Sequence, residues 1–268
     1  MATRTSRGSG DEVYQARRLD VVRIFARHLQ ALDPATEVPP DDVLSRRQGR
    51  VPPYLYSPAE VAALMRAADA LLPVLRAATW RTLIGLLAVT GMRQGEACRL
   101  RRDDADLEAD LEAGTLAIAD SKFGKSRLVF LHPTAVAALR AYEQARDQAF
   151  PKPEPEAATF LVNRRGGPLD GHNIQHTFAT LVAAAGIQAP PGQRAPRLHD
   201  LRHTFTVATM LDWYRDGRDV QARLPLLSTW LGHVDPTSTY WYLQAVPELL
   251  TLAAGRLEPA GPDGQAAP

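Results

Sequence analysis

Several things are scarce in this sequence. Cysteine occurs once in 268 residues, at Cys98, which excludes an internal disulfide framework and any metal site built from several cysteines. Cys98 lies in an apolar helical stretch and reads as a packing residue. No apolar run is long enough to span a bilayer, and the opening segment MATRTSRGSGDEVY lacks the apolar stretch of a secretory signal. A cytoplasmic location with no membrane partner is the expectation. No glycine-rich phosphate loop and no carboxylate cluster with metal-ligand spacing is found, so no cofactor and no metal are expected. Excess charge is also missing. The formal net charge is +1, weak for a nucleic-acid binder, so charge has to be read locally. Arg93, Arg99, Arg101 and Arg102 fall in one short stretch, and such a patch can serve where the overall balance does not.

What is present suffices for one sizeable core, or a core with a small appended domain: the chain is 45% hydrophobic and 23% charged. Residues 14–31 read as a helix with an apolar stripe of Val21, Val22, Ile24, Phe25, Leu29 and Leu32. A proline-dense linker follows, from Asp33 to Pro53. Ser57, Pro58 and Glu60 form a capping signature opening the next helix, whose buried face is Val61, Leu64, Met65, Ala68 and Leu72. A further helix runs from about Trp80 to Ala88, and another over Gln94–Leu100. Thr115 to Leu131 changes period and reads as a hairpin turning at Gly124. Asp-Leu-Glu-Ala at 106–109 recurs at 110–113, as a duplication that lengthens a surface loop. Helices then start at His132-Pro133, carry the stripe Ile174, Phe178, Leu181 and Val182, run from His199 to about Tyr214, and cover 220–231 with Gly232 as C-terminal cap. A short helix near Pro247–Arg256 precedes a mobile tail at 258–268. The fold class is mainly α with a small antiparallel β-sheet (α+β).

Four segments concentrate groups suited to one task. In Thr90-Gly91-Met92-Arg93-Gln94-Gly95-Glu96, Arg93 stands at a helix start, where free N–H groups and the helix dipole favour an anion and a guanidinium offers phosphate two parallel hydrogen bonds. The blander reading is a surface ion pair with Glu96. In His199-Asp200-Leu201-Arg202-His203, the imidazole of His199 and the guanidinium of Arg202 are three residues apart and share a helix face. That combination suits a phosphoryl group gaining charge, although His199 could simply cap its helix. His233 follows a helix-ending glycine and sits in a turn. Ser238-Thr239-Tyr240-Trp241-Tyr242-Leu243 packs three aromatics together, and the core is the ordinary place for Tyr240 and Trp241. Lys122 and Lys125 flank the hairpin glycine, where most lysines are merely solvated.

Taken together, TGMRQGE at 90–96, SKFGKSRLVFLH at 121–132, HDLRHTF at 199–205, LGH at 231–233 and a tyrosine nine positions after His233 resemble the tyrosine recombinase (phage integrase) family, over roughly residues 56–255. The resemblance implies a bacterial, nucleoid-associated site-specific recombinase. It would cleave double-stranded DNA through a 3′-phosphotyrosyl bond and pass a C-terminal segment between the subunits of a homotetramer on two DNA sites. It implies Arg93 and Arg202 as clamps on the scissile phosphate, His199 assisting proton transfer, His233 bonding the phosphate, and Lys122 protonating the leaving 5′ oxygen with Lys125 as the nearby alternative. Tyr242 would be the nucleophile. It further implies a domain plan of 1–55 as a partial N-terminal core-binding region and linker, lacking its front part, and 56–257 as the catalytic domain. Two other readings stay open: a non-catalytic DNA-binding remnant or regulator of a full-length recombinase, and a type IB topoisomerase that relaxes DNA without partner strands.

Overall fold

The computed structural model describes residues 9–44, 52–108, 114–121, 125–151, 159–233, 239–242 and 246–255. The chain divides into two compact units, Met1–Val51 and Pro52–Pro268. Among the described residues no helix is long and apolar enough to cross a membrane.

In the first unit, α1 runs over Ser9–Leu32, starting earlier than the periodicity indicates. Its apolar stripe is not a core face. Val21, Ile24 and Phe25 are each more than 60% exposed, and Leu32 is exposed as well. The buried side is instead Ala16, Arg23 and Ala26. Arg23 is buried because its guanidinium donates to the carbonyls of Pro39, Pro40 and Val43 and to the Asp20 carboxylate. Prolines cannot donate but their carbonyls accept freely, so a proline-rich segment can be tied down by one arginine.

In the second unit, α2 (Pro58–Asp69) opens as its sequence dictates. The Ser57 side chain accepts from Glu60 N–H and the Glu60 carboxylate accepts from Ser57 N–H. The next helix, α3 (Val74–Thr90), is longer than the sequence reading and is the central one. Trp80, Leu83, Ile84, Leu86 and Leu87 are buried, covering too wide an arc for a surface helix, because α3 packs against α2, α5 (Pro133–Ala149) and α7 (Asp200–Arg215). The hairpin is present as β2 (Gly114–Ser121) and β3 (Lys125–Leu131), with Leu116 opposite Val129 and Ile118 opposite Arg127. Alternation sorts its faces: Leu116, Ile118, Val129 and Leu131 are buried, while Leu128 and Phe130 are exposed.

A third strand was not foreseen. β1, Ala105–Asp106, pairs antiparallel with β2 in the order β1-β2-β3, and the adjoining Leu107 is buried. The start of the duplicated tetrapeptide is therefore sheet edge and core, not loop. Two residues are too few to show a period. Residues 109–113 and the tail 258–268 lie outside the described residues.

The remaining elements among the described residues are α4 (Gln94–Arg99), a 3-10 turn at Arg102–Asp104, α6 (Gly171–Ala184), α8 (Val220–Leu231), a helical turn at 239–242, and α9 (Pro247–Gly255). Ile174, Phe178, Leu181 and Val182 of α6 join the main core. A second cluster gathers Val207 and Met210 of α7, Leu224, Leu227 and Leu231 of α8, and Tyr242, Val246 and Leu249. In this state α9 packs on its own chain, with Leu249 fully buried and Leu250 exposed.

Gly91 ends α3 with φ +62°, and its carbonyl serves the site below. A Cβ there would lie 2.3 Å from Cδ1 of Phe205 and 3.1 Å from Leu231. Gly91→Ala therefore combines left-handed strain with overpacking, and we expect it to cost about 2–4 kcal/mol, read as a lower urea midpoint at unchanged m-value.

Candidate active site

The site is assembled on the C-terminal end of α8. The last carbonyls of a helix have no partner within it and carry the negative end of its dipole. Here three successive ones are taken by three arginines from three different elements. Arg127 Nε of β3 donates to Trp230 O at 2.6 Å, Arg202 Nη2 of α7 to Leu231 O at 2.8 Å, and Arg93 Nη2, at the head of α4, to Gly232 O at 2.6 Å. Arg202 Nη1 donates in addition to Gly91 O at 2.8 Å, so this buried guanidinium bridges the C-termini of α3 and α8. Trp230 Nε1 donates to Thr90 O at 2.8 Å and pins the same two helix ends together. Gly232 has φ +66°, and a Cβ on it would come 2.9 Å from Nη1 of Arg127 and 3.3 Å from Nη1 of Arg93. The glycine is needed for both the turn and the close approach of the guanidiniums.

Glu96 organises two of these cations. Its carboxylate is buried, takes two bonds from Arg127 at 3.1 and 2.8 Å and one from Arg93 Nη1 at 2.7 Å, and caps α4 by accepting from Arg93 N–H at 2.8 Å. Burial by itself would raise its pKa. The hydrogen bonds from Arg127 and from the Arg93 backbone outweigh that and hold it at about 2. The ion pair of Arg93 with Glu96 is thus real but not a surface pair, and the N-terminus of α4 is closed by this carboxylate instead of lying open to an anion.

His199 precedes α7 and makes no capping bond to it, contrary to the blander reading. Its pKa is held near 4, by desolvation first and then by the fields of Arg202 and Arg197. His233 is half-buried after Gly232. Its Nδ1 lies 2.7 Å from Thr239 Oγ1, and burial followed by the fields of Arg202 and Arg93 lowers it to about 4. Both imidazoles are neutral at pH 7. Arg202 is lowered to about 10, by burial first and then by Arg93, and stays charged.

Tyr242, on the turn at 239–242, is 3% exposed, whereas Tyr240 is 40% exposed. The expectation that Tyr240 is core is corrected: two positions apart on a helical turn, the two rings face nearly opposite sides, and Tyr242 has the inner one. Its Oη lies 2.5 Å from Nδ1 of His203, a residue the sequence reading quoted but gave no role. Lys122 lies outside the described residues, and of Lys125 only the backbone, at the start of β3, is described. The arrangement therefore brings Arg93, Arg202 and His233 together at the end of α8. The electrostatic influence of Arg202 and Arg93 on His199, and of Tyr242 on Arg202, ties those groups to the same place.

Three functional candidates were missed. Arg127 and His203 meet partners distant in sequence, at Glu96 and Tyr242, and the local pairing of Glu96 with Arg93 gave no sign that it also holds Arg127. Cys98, half-buried on α4, has its thiol pushed up to about 11 by burial, which fits packing better than reactivity. Among the described residues no three His, Cys, Asp or Glu side chains gather to hold a metal ion.

Residues 56–248 match the family model described as "Phage integrase family". The chain is 40% identical over 249 residues to the "Putative integrase/recombinase y4rB" of Sinorhizobium fredii, covering 91% of this chain and 77% of that one. It is 30% identical over 210 residues to the tyrosine recombinase XerC of Bacillus subtilis, covering 77% of this chain and 62% of that one. Among solved structures, the XerH site-specific recombinase bound to its palindromic difH substrate in a post-cleavage complex superposes with a TM-score of 0.62. That match has 20% identity, and covers 84% of this chain and 59% of that one.

Proposed function

The chain belongs to the phage integrase family and is a tyrosine recombinase that breaks and rejoins DNA strands, and we propose that Tyr242 is the residue through which it does so. The observation that carries this is the mooring of Arg93 and Arg202 on adjacent carbonyls, Gly232 O and Leu231 O, in the second unit, whose buried tyrosine stands beside a neutral imidazole.

In this reading the two guanidiniums receive the non-bridging oxygens of the scissile phosphate. Positioning and charge neutralisation carry most of the work in phosphoryl transfer, and arginine supplies them without losing its proton. The Tyr242 oxygen attacks phosphorus and forms a 3′-phosphotyrosyl bond. The 5′ oxygen leaves and takes a proton, a role proposed for Lys122 or its neighbour Lys125. His233 bonds the phosphate and His199 assists proton movement. The phosphotyrosyl bond keeps the energy of the broken one, so a 5′ hydroxyl can reverse the step without any nucleotide. The catalytic domain is proposed to span 56–257, with 1–55 as a core-binding region and linker that also meets DNA, acting at the bacterial nucleoid. Four copies on two DNA sites would exchange the segment bearing Leu249, Leu250 and Leu252. Leu249 is buried in its own chain here, so exchange requires α9 to leave that seat.

The test is covalent trapping. Purified protein is mixed with a nicked duplex carrying sequence from the DNA flanking the gene, and the protein–DNA adduct on a denaturing gel is digested and mapped by mass spectrometry. The expected adduct is on the peptide containing Tyr242. An adduct on Tyr240, or DNA binding with no adduct, would refute the assignment.

A further inference from the structure

The family resemblance leaves His203 without a task, yet it is the residue against Tyr242. The two side chains come from separate parts of the fold, one from the second turn of α7 and the other from the turn at 239–242. Nδ1 of His203 stands 2.5 Å from Tyr242 Oη. The opposite ring nitrogen, Nε2, is 4.0 Å from Oδ1 of Asp200, one turn back on α7 and fully buried. Asp200 is itself fixed. It accepts from the Arg197 backbone N–H at 2.8 Å and from the Arg197 guanidinium at 3.2 Å, and pairs with Arg194 at 3.6 Å. At 4.0 Å this carboxylate is beyond hydrogen-bond reach, and it acts through its field, which favours the tautomer with its hydrogen on Nε2 and leaves the Nδ1 lone pair for the phenol. The order phenol, imidazole, buried carboxylate is the order of an activated nucleophile, with the base oriented by a third group.

We propose that His203 is the group that receives the Tyr242 proton, and that Asp200 orients it for that purpose. The inference rests on the reading of Tyr242 as nucleophile. As the bond from Tyr242 Oη to phosphorus forms, the O–H bond breaks and its proton passes to Nδ1. The bond from phosphorus to the 5′ oxygen breaks, and that oxygen is protonated by the separate acid. Reversal returns the proton from Nδ1 to the phenol.

The ring's surroundings suit a conditional base. Around it stand His199, packed edge-on with centroids 4.8 Å apart, Trp241 and Tyr242 from the turn, Arg202 and Asp200 from α7, and Arg194 and Arg197 from the preceding loop. Desolvation, then His199 and the three arginines, hold the imidazole at about 3 without DNA. It is neutral and able to accept, but too weak a base to ionise the phenol idly. A scissile phosphate bound at Arg93 and Arg202 offsets part of that positive field and makes the ring more basic when substrate is present.

The experiment is single-turnover cleavage of the nicked duplex by the full chain, comparing wild type with His203→Asn and His203→Ala across pH 6 to 9. Asparagine puts an amide oxygen close to the Nδ1 position, so it keeps the hydrogen-bond acceptor but cannot take a proton at these pH values. The expected result is a loss of about 10²-fold or more in cleavage rate for both variants, with DNA binding and circular dichroism unchanged. Their rates should climb steeply with pH where the wild type is flatter. If His203→Asn cleaves within about threefold of wild type, His203 only orients the phenol and the proposal is overturned. It is equally overturned if either variant is faster, because the contact would then be a resting latch. Mapping the wild-type adduct separates the two claims. An adduct elsewhere, or none, removes the Tyr242 reading, whereas an adduct on Tyr242 with undiminished variants removes this one alone.

Discussion

Tyr242→Phe should leave a folded protein that binds the nicked duplex and forms no covalent adduct. The phenyl ring refills the same space in the second core, against Val207, Met210 and Leu249, so no cavity opens. The partly buried hydrogen bond to His203 is lost, worth about 1 kcal/mol, and the melting temperature should fall by only a few degrees. Chemistry has no such fallback. The only other phenol on this turn, Tyr240, faces the opposite side and is 40% exposed, so it cannot take over without rebuilding the turn. Tyr240→Phe should therefore retain adduct formation at close to the parental rate. The two variants, read on one denaturing gel with calorimetry beside it, separate a lost nucleophile from a lost fold.

The second large effect is expected at Glu96. Glu96→Gln keeps the shape but removes the charge that two guanidiniums share, and it turns an N–H group toward at least one of them. Breaking a buried pair by removing one partner costs about 3–5 kcal/mol, and in a unit of this size the melting temperature should drop on the order of 10 °C. Arg93 and Arg127 lose their common anchor at the same time, so cleavage should fall about 10²-fold or more even at temperatures where the variant is folded. The pH dependence gives an independent signature. The carboxylate's pKa is lowered from 4.5 to about 2 in the folded protein. Its stabilisation is therefore complete above the unfolded value of 4.5 and drains away as pH falls from there to about 2, amounting to about 3 kcal/mol. Denaturant titrations between pH 6 and 3 should show wild type losing stability with a steepness that Glu96→Gln lacks.

How far the sequence could foretell this is best seen residue by residue. The capping box of α2 and the glycine end of α8 were legible because each is closed by residues a few positions apart. The candidates Arg93, His199, Arg202, His233 and Tyr242 could be nominated in the same way, since each stands in a short motif of fixed spacing. Glu96 illustrates the limit. Its spacing to Arg93 suggested a surface pair, and nothing local reveals that Arg127, 31 positions on, reaches the same carboxylate. His203 escaped for the same reason, its partner being 39 positions away. The exposed stripe on α1 failed differently. Periodicity reports that a face is apolar, not that anything in the chain covers it.

The mooring of three guanidiniums on one helix end has a further consequence for the charge the site presents. Arg93, Arg127 and Arg202 bring three positive charges and Glu96 removes one, leaving +2, while His199, His203 and His233 are neutral at pH 7. A phosphodiester arrives with one negative charge. In the proposed reaction, the five-coordinate species formed on attack by an ionised phenol carries two. The ground state thus leaves one unit of the arginine field unanswered, and on attack the phosphorus centre takes it up. The proton lost by Tyr242 rests on His203 in the proposal above, so the net charge of the site is unchanged and the negative charge is moved to where the guanidiniums are held. Because the cations are held by carbonyl dipoles and a fixed carboxylate, no side chain must be freed to meet the second charge, and the electrostatic gain falls on the step of bond making instead of on binding.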